Sequence, residues 1–149
     1  MLSGICFSAN TCHDVQGYTR FHTYRANRTR GGVSVLVRNC CPSTHMANFS
    51  VCHGYYEISV VKVSLANNCT VIIIGVYRPP DKSKIPEFTI KLNEIFSSTS
   101  KSDHVFIVGE LNINLLDPIA IENDFINYYH STPSYLSTIN PLAMLITMD

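Results

Sequence analysis

With 149 residues, 46% of them hydrophobic and 15% charged, the chain holds enough apolar matter for one folded domain and too little charge for a disordered one. Its longest apolar run, Val71 to Tyr77, is far too short to cross a bilayer, and its first residues lack the basic-then-apolar order of a secretory signal, so an intracellular protein of cytoplasm or nucleus is expected. Net charge is zero but unevenly spread: residues 1–56 carry five Arg against one Asp, and residues 57–149 carry six basic against ten acidic residues.

Residues 1–16 show no period and read as a frayed N-terminal segment ahead of a domain over 17–149. From Gly17 to Arg30 the chain scatters Arg, Tyr and His without a clear element. The cluster Arg20, Arg25, Arg28, Arg30 and Arg38 suits either a surface that tracks a phosphate backbone or a solvated polar loop. Gly31-Gly32 is a turn signal that feeds Val33 to Val37, a strand with β-branched residues. Residues 38–54 read as loop.

Tyr55 to Leu65 predicts a long strand, with Ile58 and Val60 on one face and Val61, Val63 and Leu65 on the other. Asn67-Asn68 is a hairpin-type turn, and Cys69 to Tyr77 returns as an apolar strand that Pro79-Pro80 must end. Ile85, Phe88, Leu92, Ile95 and Phe96 repeat at spacings of three and four, which predicts an amphipathic helix over 85–98 with Pro86 in its first turn and Ser83 as its cap. After a Ser-rich linker at 97–102, residues 104–108 read as a strand buried on both faces inside a sheet and ending at Gly109. A shorter helix is expected at Ile121 to Tyr129, then irregular chain with an apolar end near Leu142 to Ile146. The order strand, hairpin, helix, strand, helix implies an α/β (α+β) layered domain.

Six cysteines (Cys6, Cys12, Cys40, Cys41, Cys52, Cys69) and three glycosylation sequons, at Asn27, Asn48 and Asn68, raise the alternative of a secreted, disulfide-bonded glycoprotein. In the absence of a signal sequence the cysteines read as reduced and packed. The group Cys40, Cys41, Cys52 and His53 lacks the paired spacing of a zinc site.

The segments with chemical content are Gly31-Gly32-Val33, Tyr77-Arg78-Pro79-Pro80, and Gly109-Glu110-Leu111-Asn112, which continues as Ile113-Asn114-Leu115-Leu116. Their order and spacing resemble the endonuclease/exonuclease/phosphatase family, and more narrowly the endonuclease domain of LINE-type (non-LTR) retrotransposons, whose corresponding segments read GGV, YRPP and GDFN. The resemblance covers roughly residues 17–130. It implies a four-layer α/β sandwich of two mainly antiparallel sheets, here partial, and Mg²⁺-dependent hydrolysis of phosphodiester bonds in DNA.

Such hydrolysis needs a cation to polarise the phosphate, a group that orients or deprotonates water, and donors for the charge that grows on the phosphoryl oxygens. By position, the resemblance assigns Asn112 to contact with the scissile phosphate, and Tyr77 to donation from its hydroxyl. Glu110 stands where the family has the aspartate that orients or activates water. The added methylene displaces that carboxylate, and a shift near 1 Å can cost about a hundredfold in rate. Read without the resemblance, Asn112 is a turn residue, Tyr77 an interfacial core tyrosine and Glu110 a solvated strand-end carboxylate.

The chain also departs from the family pattern. No catalytic Asn strand or metal-binding Glu-Thr-Trp segment precedes Gly17, and the chain has no Trp. Ser102-Asp103-His104 copies the family's closing Ser-Asp-His segment but precedes the Gly-Glu-Leu-Asn strand, so its role does not transfer. A truncated domain, inactive or weakly active alone and binding Mg²⁺ poorly, is therefore expected. The alternative is a non-catalytic nucleic-acid binder that uses Arg20 to Arg38.

Overall fold

The computed structural model describes residues 14–24, 31–100 and 103–113. Two strands, β1 (Tyr18–Thr23) and β2 (Val33–Arg38), form an antiparallel hairpin with Tyr18 opposite Arg38 and Thr23 opposite Val33. A second sheet has five strands: β3 (Ser43–His45), β4 (Val51–Cys52), β5 (Glu57–Ser64), β6 (Thr70–Tyr77) and β7 (His104–Glu110). Its order is β3-β5-β6-β7, and β4 pairs with β5 beyond β3, opposite Glu57 and Ile58. All pairings are antiparallel except β6 with β7, which the helix α1 (Ile85–Ser97) connects as a crossover. This is a mixed α/β domain with mainly antiparallel sheets.

Alternation along β5 and β6 builds two cores. Ile58, Val60, Ile72, Ile74 and Val76 face α1 and pack against Ile85, Phe88, Leu92, Ile95 and Phe96. Val61 and Val63 point the opposite way and meet Val35 and Val37, with Phe21, Val71 and Ile73 beside them. The layers are thus helix, sheet and hairpin. Gly75 lets the two sheets approach: a Cβ there would come within 2.9 Å of the methyl groups of Val33 and Val35. Phe88 and Leu92, both fully buried, anchor the helix, and truncating either to Ala would cost about 2–5 kcal/mol.

The 85–98 helix forms over Ile85–Ser97, with its apolar stripe inward. Its cap differs from expectation. Lys84 occupies the cap position without a side-chain bond, and Ser83 lies in a preceding 3-10 turn (Lys82–Lys84). There the Asp81 carboxylate accepts from the Ser83 N–H (3.0 Å) and hydroxyl (2.8 Å). These bonds hold the Asp81 carboxyl below its ordinary pKa.

Three other expectations are corrected. Residues 18–23 form β1, whose Thr19, Phe21 and Thr23 share one face while Tyr18, Arg20 and His22 share the other, so polar residues hid a one-sided strand. Residues 38–54 contain β3 and β4, whose polar or very short sequences carry no period and become strands only by pairing with β5. The strand of residues 104–108 continues through Glu110, lies at one end of the described sheet, and is half-buried over most of its length. Its apolar run covers core on one side and pairs with β6 along one edge. The helix expected at 121–129 and the apolar segment near 142–146 lie outside the described residues. No helix of the described residues is long and apolar enough to cross a membrane.

Candidate functional site

The ends of β5, β6 and β7 bring a row of polar side chains to one rim. Glu57 on β5 is the register partner of Tyr77 on β6, and Tyr77 is the partner of Glu110 on β7. Partners in register point to the same face, so Glu57, Tyr77 and Glu110 stand side by side on the face that carries the hairpin. With strands about 4.8 Å apart, the row spans about 10 Å between its outer Cα atoms.

Glu57 is buried, and its Oε2 accepts from the Gly32 N–H at 2.6 Å, tying the Gly-Gly turn to the rim. His22 lies against the same turn, where a Cβ on Gly32 would come within 2.9 Å of its ring. The Nδ1 of His22 is 2.6 Å from the Ser34 hydroxyl. Burial, then the nearby Arg20, lower the His22 pKa, while Glu57 opposes the shift.

Gly109 sits at φ 139° beside Val76, and any Cβ there would collide with the Val76 carbonyl oxygen. A side chain at that position would push β7 away from β6 just below the rim, which is why this segment needs glycine.

Past Gly109 the chain turns sharply. The Arg78 N–H donates to the Glu110 carbonyl at 2.8 Å, and Asn112 takes a left-handed conformation at φ 50°. The Asn112 amide nitrogen donates to the Arg78 carbonyl (2.6 Å) and to Glu110 Oε1 (2.8 Å). The structure therefore brings Tyr77, Glu110 and Asn112 together. Both Asn112 amide hydrogens have internal acceptors, which leaves its carbonyl oxygen Oδ1 over. Among the described residues the Tyr77 hydroxyl makes no hydrogen bond.

Two further residues belong to the rim. Arg78 is fully buried beside Tyr77 in the same motif, and its own segment holds no signal of that burial. Glu57 opens β5, where a lone carboxylate at the head of an apolar run of β-branched residues is a sequence signal that something pairs with it.

Of the basic cluster, Arg20 makes a long contact to Asp14 (3.9 Å), and the Arg38 Nε–H donates to the Tyr18 hydroxyl at 3.3 Å. Arg25, Arg28 and Arg30 lie outside the described residues. Cys40, Cys41 and Cys69 are free thiols. Among the described residues, no group of three or more His, Cys, Asp or Glu side chains converges to hold a metal ion.

The architecture is similar to a solved structure, the endonuclease domain of TRAS1, a telomere-specific non-LTR retrotransposon, with a TM-score of 0.62 at 11% sequence identity. The fold is that of a non-LTR retrotransposon endonuclease domain. At this identity the likeness is one of fold. It covers 78% of this chain and 53% of the other, so the chain spans about half the length of the endonuclease domain it matches. No protein-family model matches the sequence, and no curated protein matches it. Within the endonuclease-like fold, the rim lies where the Tyr-Arg-Pro-Pro and Gly-Glu-Leu-Asn segments meet.

Proposed function

We propose that this chain is a retrotransposon-type endonuclease-like domain whose Tyr77–Glu110–Asn112 rim faces a DNA phosphodiester, and that alone it is inactive or cleaves weakly. The observation that carries this reading is the convergence of two segments 33 residues apart in sequence, Tyr77 with Glu110, on adjacent strand ends in an endonuclease-like fold.

Each rim group has a chemical part in the reading. The Tyr77 hydroxyl is a donor for a phosphoryl oxygen. The Glu110 carboxylate is an acceptor for a water proton, held in one orientation by the Asn112 amide at 2.8 Å. Asn112 orients Glu110 and is not itself the phosphate donor while both of its N–H groups bond internally.

Magnesium prefers octahedral oxygen ligands, and such sites are usually built from one or two carboxylates with waters and substrate phosphate. At this rim Glu110 is a single carboxylate with one oxygen bonded to Asn112, and Glu57 is buried against Gly32. The described residues do not by themselves fit a magnesium site.

Incubating the purified chain with supercoiled plasmid and Mg²⁺ tests the proposal. No conversion to nicked circles is the expected result. Strong Mg²⁺-dependent nicking that disappears in Asn112→Ala would overturn the inactivity.

A second reading, nucleic-acid binding without catalysis, is favoured by the outer face of the hairpin. Tyr18 and Tyr24 are exposed there, Arg38 lies across from Tyr18, and the Tyr24 ring stacks on His22 at 5.4 Å between centroids. Aromatic rings beside cations suit base stacking and phosphate contact. Affinity for a DNA strand that falls steeply with salt and weakens in Arg38→Ala would support it, and no binding at low salt would remove it.

A further inference from the structure

The Tyr-Arg-Pro-Pro segment holds a fully buried arginine, a costly placement that demands a reason. The Arg78 guanidinium donates from Nε to the Leu111 carbonyl (2.8 Å), from Nη1 to the Asp81 carbonyl (2.7 Å) and from Nη2 to the Asn112 carbonyl (2.7 Å). These three acceptors are main-chain oxygens, drawn from the two segments that leave the ends of β6 and β7. The planar fork reaches three separately placed carbonyls from three different nitrogens, whereas a lysine ammonium offers its three donors from a single nitrogen and would need the carbonyls gathered around one point.

The contact is reciprocal. The Arg78 side chain holds the Asn112 main chain, and the Asn112 side chain donates back to the Arg78 carbonyl. Pinned at both ends, Asn112 stays in its left-handed conformation, and its second N–H meets Glu110. We infer that Arg78 is the positioning residue of the rim: through the Leu111 and Asn112 carbonyls it aims the Asn112 amide at Glu110 and so fixes the carboxylate beside Tyr77. Its role at a phosphodiester rests on the functional reading above, whereas the positioning itself does not. Buried as it is, Arg78 touches no substrate and acts through Asn112 and Glu110.

NMR of the whole chain tests this. In the wild type, nuclear Overhauser contacts are expected between the Asn112 side-chain amide and the Glu110 side chain. In Arg78→Lys these contacts should be lost while backbone amide signals of β5 and α1 stay in place. An Arg78→Lys protein that is folded and keeps the wild-type contacts overturns the inference. Should that variant fail to fold, the wild-type Arg78 Nε–H decides: exchange roughly a hundredfold slower than an exposed arginine supports the clamp, and solvent-like exchange overturns it. Adding a short DNA duplex separates the two claims. Asn112 and Tyr77 signals that ignore the duplex overturn the functional reading and leave the clamp standing.

Discussion

The sheet turns its chain at both ends with asparagine in the left-handed conformation, and the two ends differ in what holds them there. At the β5–β6 hairpin, Asn67 (φ 60°) and Asn68 (φ 57°) are exposed, and the turn is closed by bonds between near neighbours, Leu65 N–H to the Cys69 carbonyl at 2.8 Å and Cys69 N–H to the Ala66 carbonyl at 3.3 Å. At the rim, Asn112 (φ 50°) is held by a guanidinium 34 residues away in sequence. One dihedral angle thus has two causes. The hairpin turn is local chemistry that any flanking strands would accept. The rim turn exists only once β6, α1 and β7 have assembled, and that places it where a rigid scaffold can aim side chains.

The largest expected effect breaks the rim and spares the turn. Arg78→Ala leaves three carbonyls without their donor and removes a buried side chain. At about 1.5–3 kcal/mol for each hydrogen bond to a charged group, counted non-additively, the loss should exceed about 3 kcal/mol in urea unfolding. A loss below about 1 kcal/mol would mean that the guanidinium holds nothing that water cannot replace. Asn112→Gly is the subtler probe. Glycine adopts the left-handed conformation freely, so the turn keeps its shape while both donated bonds vanish. A loss of about 1–2 kcal/mol is expected by the same measurement. No loss would show that the amide contributes nothing beyond permitting the turn.

How much of this was legible in the sequence follows the same division. The amphipathic helix and the alternation on β5 were plain because Phe88, Leu92, Ile58, Val60, Val61 and Val63 carry their environment in their spacing. The Asn67-Asn68 turn was legible because its cause is local. β1, β3 and β4 were not, since Thr44 or His22 becomes a strand residue only when a partner strand offers hydrogen bonds. At the rim, the motif pattern led to Tyr77, Glu110 and Asn112 but not to Arg78 or Glu57. A buried arginine and a surface arginine are the same letter. What separates them is the set of carbonyls from Leu111 and Asn112, which no window around Arg78 contains.

Ionisable groups also distinguish the two ends, giving a smaller effect with a definite sign. The residues Ala66–Asn68 carry no ionisable side chain, whereas His22 lies beside the Gly32–Glu57 contact behind the rim. Burial and then Arg20 hold the His22 pKa below its ordinary 6.5, so the folded protein prefers the neutral ring. Below that pH the unfolded chain takes up the proton first. Stability from His22 is therefore complete above about 6.5 and is lost as pH falls toward the folded value. Denaturant midpoints measured at about pH 7.5 and about pH 5.5 should fall further for the wild type than for His22→Gln. Equal drops would place His22 outside the rim's electrostatics.

The smallest effect sharpens the comparison most, because it uses the same substitution as at the rim. Asn68→Gly relieves the modest strain of a left-handed asparagine but gives the unfolded chain more freedom to lose, and these terms oppose each other. The Asn68 side chain makes none of the long-range bonds that Asn112 makes, so nothing else changes sides in the balance. The net change should stay within about 0.5 kcal/mol, against the larger loss for Asn112→Gly. Matching losses at the two positions would erase the distinction: the rim asparagine would then be a turn residue like its counterpart, and Arg78 would be holding a loop with no aim.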